Sequence, residues 1–439
     1  MVNGETPTGG RHFLARQSLG RQILPILRRV VERPLTSYYL LLASAGVLLL
    51  ISSVVGDTSG DGWKYKFLAI PGLLGFWIGQ RLSERTLRTI GPLVLGAAFV
   101  SLALLDLILA LAALGMISSP KLGPFEAKSV ALYIGPTAIQ PSELVKLGLA
   151  LWGANVVAQK GASLRYWREL SMPLFPVIGL CFVLVGYNDL GSMAVLLVLV
   201  VGLLWTAGVR LRVFGAMGVL GMAGVGLLIA AASRGTATDS VPESNPQLEE
   251  LASFFGRPED CTAQSCGQLA AARSAMSDGG WFGHALDDRS AGVIDASAAH
   301  FVFVKVAGHL GAVGCVVVLA LFALLAYTGF RIARRVDHSF RRLCAASITT
   351  WLLTQAVINI GGVVGLLPFA DQPLPFVSGN GSELVVTLTA IGILAAIARS
   401  EPEAARALNA HPPAPWVRLV WAPLPQLSRR VNGRIGDAS

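Results

Sequence analysis

Charged residues are scarce in this sequence, and their scarcity excludes a soluble globular protein. Asp, Glu, Lys and Arg make up 14% of the 439 residues, whereas hydrophobic residues make up 53% and the mean hydropathy is +0.61. A soluble chain of this length would need more charge to solvate its surface. The polar stretches are brief and recur between apolar runs, so most of the surface must face lipid.

Cysteine is also rare, with five residues in two settings. Cys181, Cys315 and Cys344 lie in or beside apolar runs, where we expect them to pack as small apolar side chains. Cys261 and Cys266 share the longest polar stretch of the chain. Their spacing leaves a local disulfide and two free thiols open as alternatives.

Apolar runs that approach the length needed to cross a bilayer, about 20 residues, recur along the chain. Two of them are short and would need flanking residues or tilt to span. The sequence therefore predicts an all-α polytopic membrane protein, a bundle of about ten transmembrane helices. The predicted spans are 38–55, 67–80, 90–116, 144–157, 173–187, 190–207, 213–232, 301–332, 344–367 and 384–398.

The Lys and Arg residues predict the orientation of these spans, because basic loops stay preferentially on the cytoplasmic side. Arginines cluster in 11–33 and 81–88, and basic residues then recur in alternate loops as far as the tail at 429–434. We therefore predict a multi-pass membrane protein with both termini in the cytoplasm.

The basic residues are spread over loops rather than gathered on one module. This distribution indicates contact with membrane lipids and not with nucleic acid. The predicted organisation is a basic cytoplasmic segment at 1–35, a ten-span membrane domain at 36–400 and a cytoplasmic tail at 401–439.

The longest polar stretch, 233–299, is predicted to be an extracytoplasmic loop between the seventh and eighth spans. It carries ten acidic residues against four arginines. A loop of this length is usually functional or disordered. The glycines at 279, 280 and 283 around Trp281 and Phe282 predict that its second half is ordered and caps a cavity.

The first motif that bears on chemistry is Gln140-Pro141-Ser142-Glu143 with Lys146, at the outer start of the fourth span. Pro141 suits the first turn of a helix, and Ser142 and Glu143 suit the positive end of its dipole. Glu143 and Lys146 lie three residues apart on one helix face, so they can pair near the membrane surface. By itself, the motif favours a helix start with a structural ion pair over catalysis.

The second motif is Asn188-Asp189-Leu190-Gly191, between the fifth and sixth spans. An Asp followed closely by Gly is typical of a tight turn. Reversal of the chain is therefore the simplest role for Asp189.

The third motif precedes the final span and includes a stretch rich in Pro and Gly. Irregular backbone at membrane depth is tolerated only where it is buried in protein or lines a wet cavity. Its N–H groups and hydroxyls could hold an anionic group such as a pyrophosphate, and a plain tight loop is the alternative. The polar and glycine positions of interest are Gln355, Asn359, Ser378, Gly381 and Ser382.

These motifs resemble the signatures of the shape, elongation, division and sporulation family, which contains the glycan polymerases FtsW and RodA. The first resembles its QPSExxK segment, the second its PDLG turn with Asn188 in place of proline, and the third its LPFxSxGGS segment. A fourth block, with Gly279-Gly280 and then Phe303 and Gly311, resembles GGxxG and DFxFxxxxEExGxxG. The four blocks cover most of the chain in the family's order.

Three polar landmarks of that family are replaced in this sequence. The catalytic extracytoplasmic aspartate falls on His300, and the acidic pair that follows falls on Gly308 and His309. The Arg-Trp that precedes QPSE falls on Val130-Ala131. The chain is therefore either a polymerase with another base or a relative that has lost the chemistry and kept the scaffold.

The resemblance implies glycan polymerisation: a sugar hydroxyl of one lipid-linked precursor attacks the anomeric carbon of another and displaces a polyprenyl pyrophosphate. His300 could take the proton of the attacking hydroxyl, since the ordinary pKa of histidine is about 6.5. Asp295 could reach the same outer opening of the cavity. Lys146 could meet the pyrophosphate, and Glu143 could orient Lys146 or help to bind a divalent cation, Mg²⁺ or Mn²⁺. We expect these groups to border an outward-facing cavity with Ser378. The substrate-binding candidates are Gln140, Ser142, Asp189, Gln355, Asn359, Ser378, Gly381 and Ser382.

Three functions remain as hypotheses. The first is a peptidoglycan glycosyltransferase that polymerises a lipid-linked disaccharide-peptide precursor beside a single-span transpeptidase, a class B penicillin-binding protein, in division, elongation or shape control. The second is a catalytically degenerate scaffold that binds the precursor or a partner, which the histidine at position 300 favours. The third is a flippase for a lipid-linked sugar, although we see no repeat relating two halves of the chain, as many transporters have.

Overall fold

The structure is a computed structural model. Most of the seventh predicted span and of the 233–299 loop, together with Cys261, Cys266, Asp295, His300 and Ser378, lie outside the residues that it describes. The described residues are 33–57, 62–117, 119–123, 125–128, 130–134, 137–160, 167–209, 214–215, 218, 272–283, 302–367, 372–377, 381–412, 414, 417 and 421.

Long helices form most of the described chain, and nine of the ten predicted spans fall on them. The tenth, 213–232, is the span that lies largely outside the described residues. The helices are α1 (Thr36–Asp57), α2 (Gly62–Arg81), α3 (Glu84–Ala113), α4 (Pro141–Lys160), α5 (Trp167–Asn188), α6 (Leu190–Thr206), α7 (Val302–Arg335), α8 (Ser339–Val364), α9 (Gly381–Arg399) and α10 (Pro402–Ala410).

Five of these helices are long and apolar enough to cross a membrane by length and composition, among the residues that the structure describes. They are Thr36–Val55, Glu84–Ala112, Val302–Arg335, Ser339–Val364 and Ser382–Arg399. Two shorter apolar helices, Leu174–Gly186 and Leu190–Thr206, lie in α5 and α6. The chain is thus a multi-pass helical protein, and the total of ten spans stays a prediction.

A small antiparallel sheet, which the sequence did not predict, joins α3 to α4. Its strands follow one another in the order β1 (Lys121–Leu122), β2 (Phe125–Lys128), β3 (Ala131–Ile134) and β4 (Thr137–Ile139). Ala127 and Leu132 of the sheet pack with Leu105 and Ile108 of α3 in a separate small core. β4 leads directly into Gln140 and α4, so the sheet fixes where the first motif begins.

The last long helix packs tightly against α2 because glycines remove the side chains between them. A Cβ at Gly79 would lie 2.5 Å from the carbonyl oxygen of Thr389, and a Cβ at Gly392 would meet the backbone of Phe76. Small residues let helix backbones approach closely within a membrane. This contact holds α9, and the irregular segment before it, in the centre of the bundle.

α7 breaks at Gly311, whose φ of 64° and ψ of −164° are not helical. The N–H groups of the next two residues, Ala312 and Val313, donate to the carbonyl oxygens of Gly280 (2.9 Å) and Trp281 (3.2 Å). These carbonyls belong to a turn at 279–283 that follows a short helix at 272–278. The turn therefore supplies the hydrogen bonds that the broken helix cannot make within itself.

Candidate functional site

The first motif forms the predicted ion pair, and the structure buries it completely. Lys146 Nζ lies 2.6 Å from Glu143 Oε1, and both side chains are 0% exposed. The pairing agrees with the sequence prediction. The sequence did not predict that the pair would be closed to solvent, and its depth in the membrane stays a prediction.

Gln372 connects this pair to Asp189 on a different helix. Lys146 Nζ donates to Gln372 Oε1 (3.0 Å), and Gln372 Nε2 donates to Asp189 Oδ1 (2.9 Å). Ser192 Oγ donates to the same Gln372 oxygen (3.2 Å). Asp189 Oδ1 also accepts from the backbone N–H of Ser192 (2.7 Å), which makes Asp189 the N-cap of α6. Asp189 therefore reverses the chain, as predicted, and also extends the polar network.

Three side chains of α8 complete the network. Gln355 Nε2 donates to Glu143 Oε1 (3.2 Å) and to the carbonyl oxygen of Pro373 (3.1 Å), while Trp351 Nε1 donates to Gln355 Oε1 (2.7 Å). Asn359 Nδ2 donates to the carbonyl oxygen of Gln372. Side chains of α8 thus donate to the backbone of the segment 372–377, and Lys146 donates to the side chain of its first residue, Gln372.

The start of α9 contacts the start of α4. The backbone N–H of Gln140 donates to Ser382 Oγ (2.9 Å), a contact between residues 242 positions apart in the chain. Glu383 is completely buried beside them and interacts electrostatically with Glu143 and Lys146. Ser142 is also buried.

Three buried carboxyl groups, those of Glu143, Glu383 and Asp189, share this cluster with one lysine. Glu143 Oε2 has no hydrogen-bond partner within the part of the chain that the structure describes. In the same part, no group of three or more His, Cys, Asp or Glu side chains is arranged to hold a metal ion. Lys146 supplies the positive charge beside Glu143, and the divalent cation stays a prediction.

The structure brings most of the predicted site residues to one end of the bundle. Those that meet there are Gln140, Ser142, Glu143, Lys146, Asp189, Gln355, Asn359 and Ser382, with Gly381 at the start of α9. His300, Asp295 and Ser378, which were predicted to border the same cavity, lie outside the described residues. Sequence reasoning missed Gln372, Ser192, Trp351 and Glu383. For Gln372 the signal was a lone amide between Pro368 and Pro375, in a stretch otherwise read as a loop.

We expect Gln372→Ala to lower the free energy of unfolding by about 1–3 kcal/mol, because it leaves Lys146, Asp189 and Ser192 short of a buried partner. The measurement is thermal or denaturant unfolding of the detergent-solubilised protein. Gln159→Ala is the matched control, since Gln159 is exposed and its side chain donates to Asn155 one turn away (3.1 Å). Equal losses from the two variants would contradict the bridging role.

The sequence is similar to a family of known proteins and to individual members of it. A family described as "Cell cycle protein", FTSW_RODA_SPOVE, matches residues 33–403. The chain is 36% identical over 417 residues to the "Probable peptidoglycan glycosyltransferase FtsW" of Mycobacterium tuberculosis, covering 90% of this chain and 74% of the relative. It is 28% identical over 270 residues to stage V sporulation protein E of Bacillus subtilis, covering 61% and 70%.

Two solved structures share the fold. One is a chain of a peptidoglycan synthase complex that coordinates polymerization and crosslinking, with a TM-score of 0.63, 23% identity and coverage of 82% of this chain and 97% of that one. The other is the rod shape determining protein RodA of Thermus thermophilus, with a TM-score of 0.54, 21% identity and coverage of 82% and 96%.

Proposed function

Because the chain belongs to the FtsW, RodA and SpoVE family, we propose that it is a peptidoglycan glycosyltransferase that polymerises a lipid-linked disaccharide-peptide precursor. The observation that carries the proposal is the buried Glu143–Lys146 pair, which Gln355 and Gln372 tie to the segment before the last long helix. This network joins three of the four blocks that resemble the family's signatures. The relative named as a peptidoglycan glycosyltransferase matches across 90% of the chain.

The proposed reaction needs a base for the attacking hydroxyl and positive charge for the leaving pyrophosphate. We assign the first role to His300, with Asp295 as the alternative, and the second to Lys146. Lys146 uses two of its three donors on Glu143 and Gln372 and is closed to solvent. A pyrophosphate could therefore reach Nζ only after neighbouring groups move, and Gln372, which accepts from Nζ, is one of them.

The proposed setting is the bacterial cytoplasmic membrane, with both termini in the cytoplasm and the site on the outer side. The distribution of Arg and Lys supports this orientation. We also propose a class B penicillin-binding protein as partner. The fold shared with a chain of a complex that coordinates polymerization and crosslinking supports this choice.

A polymerisation assay with purified full-length protein tests the proposal. The substrate is lipid-linked disaccharide-peptide, with the transpeptidase partner present and with Mg²⁺ or Mn²⁺ in separate reactions. We expect glycan chains from the wild type, a loss of about 10²–10⁴-fold with His300→Ala, and retained activity with His300→Asp. Asp295→Ala is the matched comparison, because loss in this variant alone would move the base to Asp295.

The histidine at position 300 favours one competing function, a scaffold that binds the precursor without polymerising it. The same assay separates the two. A wild type that yields no product in any reaction, together with a His300→Asp variant that does, would establish the scaffold and refute the proposed activity.

A further inference from the structure

A cavity of about 670 Å³ lies at the opposite end of the bundle from the buried pair. It forms where α2 ends and α3 begins, between the first turn of α8 and the last turn of α9. Cavities of this size commonly bind small molecules. The proposed polymerase chemistry makes no use of it.

The walls of this cavity carry a strong excess of positive charge. Five arginines line it against a single glutamate: Arg81, Arg85, Arg88, Arg341, Arg399 and Glu84. Glu84 already pairs with two of the arginines, Arg88 (2.7 Å) and Arg341 (2.8 Å). Three guanidinium groups therefore remain without a carboxylate partner among the lining residues.

Arg399 is the most deeply buried of these three arginines. Its side chain is only 3% exposed, and its Nε has no hydrogen-bond partner within the described part of the chain. One of its terminal nitrogens donates to the carbonyl oxygen of Gln80 (2.8 Å), and its guanidinium lies 5.0 Å from the ring centre of Trp421. A buried guanidinium with an unused donor is costly unless an acceptor reaches it, and phosphate oxygens suit its planar geometry.

Apolar surface adjoins this charge. Leu82, Leu87 and Ile397 contribute to the lining of the cavity. Trp77 and Ile78, one turn earlier in α2, are exposed on a helix that must face lipid. An acyl chain could lie along this face of α2 while its headgroup enters the cavity.

We propose that the cavity binds the phosphodiester headgroup of an anionic phospholipid from the leaflet at this end of the bundle. The three guanidinium groups bind the phosphate, and the apolar face of α2 contacts the acyl chains. The inference depends on the protein lying in a membrane and is independent of whether it polymerises glycan.

The test is binding of phosphatidylglycerol to the full-length protein in neutral phosphatidylcholine nanodiscs, with a fluorescent phosphatidylglycerol as the probe. Each arginine that contacts an anionic headgroup contributes about fivefold in affinity. We therefore expect Arg81→Gln/Arg85→Gln to weaken binding about 25-fold. Arg334→Gln/Arg342→Gln is the matched control, since both arginines are exposed at the same end but do not line the cavity. It is expected to bind as the wild type does.

Equal weakening by the two double variants, or equal binding of labelled phosphatidylcholine, would overturn the proposal. Full competition by millimolar inorganic phosphate would also overturn it, in favour of a soluble anion. A photoactivatable phosphatidylglycerol gives a second readout on unmodified protein. Crosslinks are expected within 77–88 and 396–400, and crosslinks confined to other segments would refute the site.

Discussion

Lys146→Met is expected to destabilise the folded protein by about 3–5 kcal/mol and to abolish glycan polymerisation. The methionine fills the same volume but leaves Glu143 as a carboxylate that is 0% exposed, with Gln355 as its remaining side-chain donor. Burying an unpaired charge is one of the most costly changes a protein core can undergo. The measurements are unfolding of the purified protein and the polymerisation assay.

A double variant and a control variant test whether the loss of stability comes from the unpaired buried charge. Lys146→Met/Glu143→Gln removes both charges and keeps an acceptor oxygen for Gln355, so we expect it to regain most of the stability while remaining inactive. Lys121→Met breaks the exposed pair with Glu126 (3.1 Å) in the small sheet and should cost no more than about 1 kcal/mol. A Lys146→Met variant as stable as Lys121→Met would contradict the structural role of the buried pair.

Gly311→Ala is expected to abolish most of the folded protein. The backbone at Gly311 has φ 64° and ψ −164°, a region open essentially only to glycine, and strain of this kind costs about 1–3 kcal/mol. An added Cβ would also lie 2.6 Å from the backbone nitrogen of Phe282. A collision with backbone cannot be relieved by a change of rotamer, so the turn at 279–283 would have to leave α7.

The measurement is the monodisperse fraction of detergent-solubilised protein on size-exclusion chromatography, followed by its melting temperature. Gly46→Ala in α1 is the control, because a Cβ there would meet nothing within 4 Å. Helical Gly→Ala changes at open positions are neutral or stabilise by up to about 1 kcal/mol. If Gly311→Ala behaved like Gly46→Ala, the broken helix would not depend on the glycine.

The helices could be predicted because a membrane makes the length of an apolar run decisive. Nine predicted spans fall on helices for this reason, and the resemblance to the family is confirmed by the match over 33–403. The Glu143–Lys146 pair could be predicted as well, since spacing of three within one helix is a local property.

Features set by contacts between distant residues could not be predicted in this way. The strands at 121–139 have only two to four residues each, too few for an alternating pattern to be recognised. Gln372 joins three helices from an irregular segment, and no local pattern distinguishes it from an amide in a solvated loop. The break at Gly311 interrupts a span that was predicted as continuous, because the carbonyl groups that bond to the backbone after the break lie about 30 residues earlier.

The position of Gln372 in the chain also has a consequence for biogenesis. Glu143 and Lys146 are made 226 or more residues before the amide that covers them. At a synthesis rate of 5–20 residues per second, roughly 10–45 s pass between the synthesis of this pair and the synthesis of Gln372. During that interval, Lys146 lacks the amide acceptor that Gln372 supplies, so water must take its place. A ribosome that stalls before residue 372 would leave Lys146 without this acceptor in a partly built bundle.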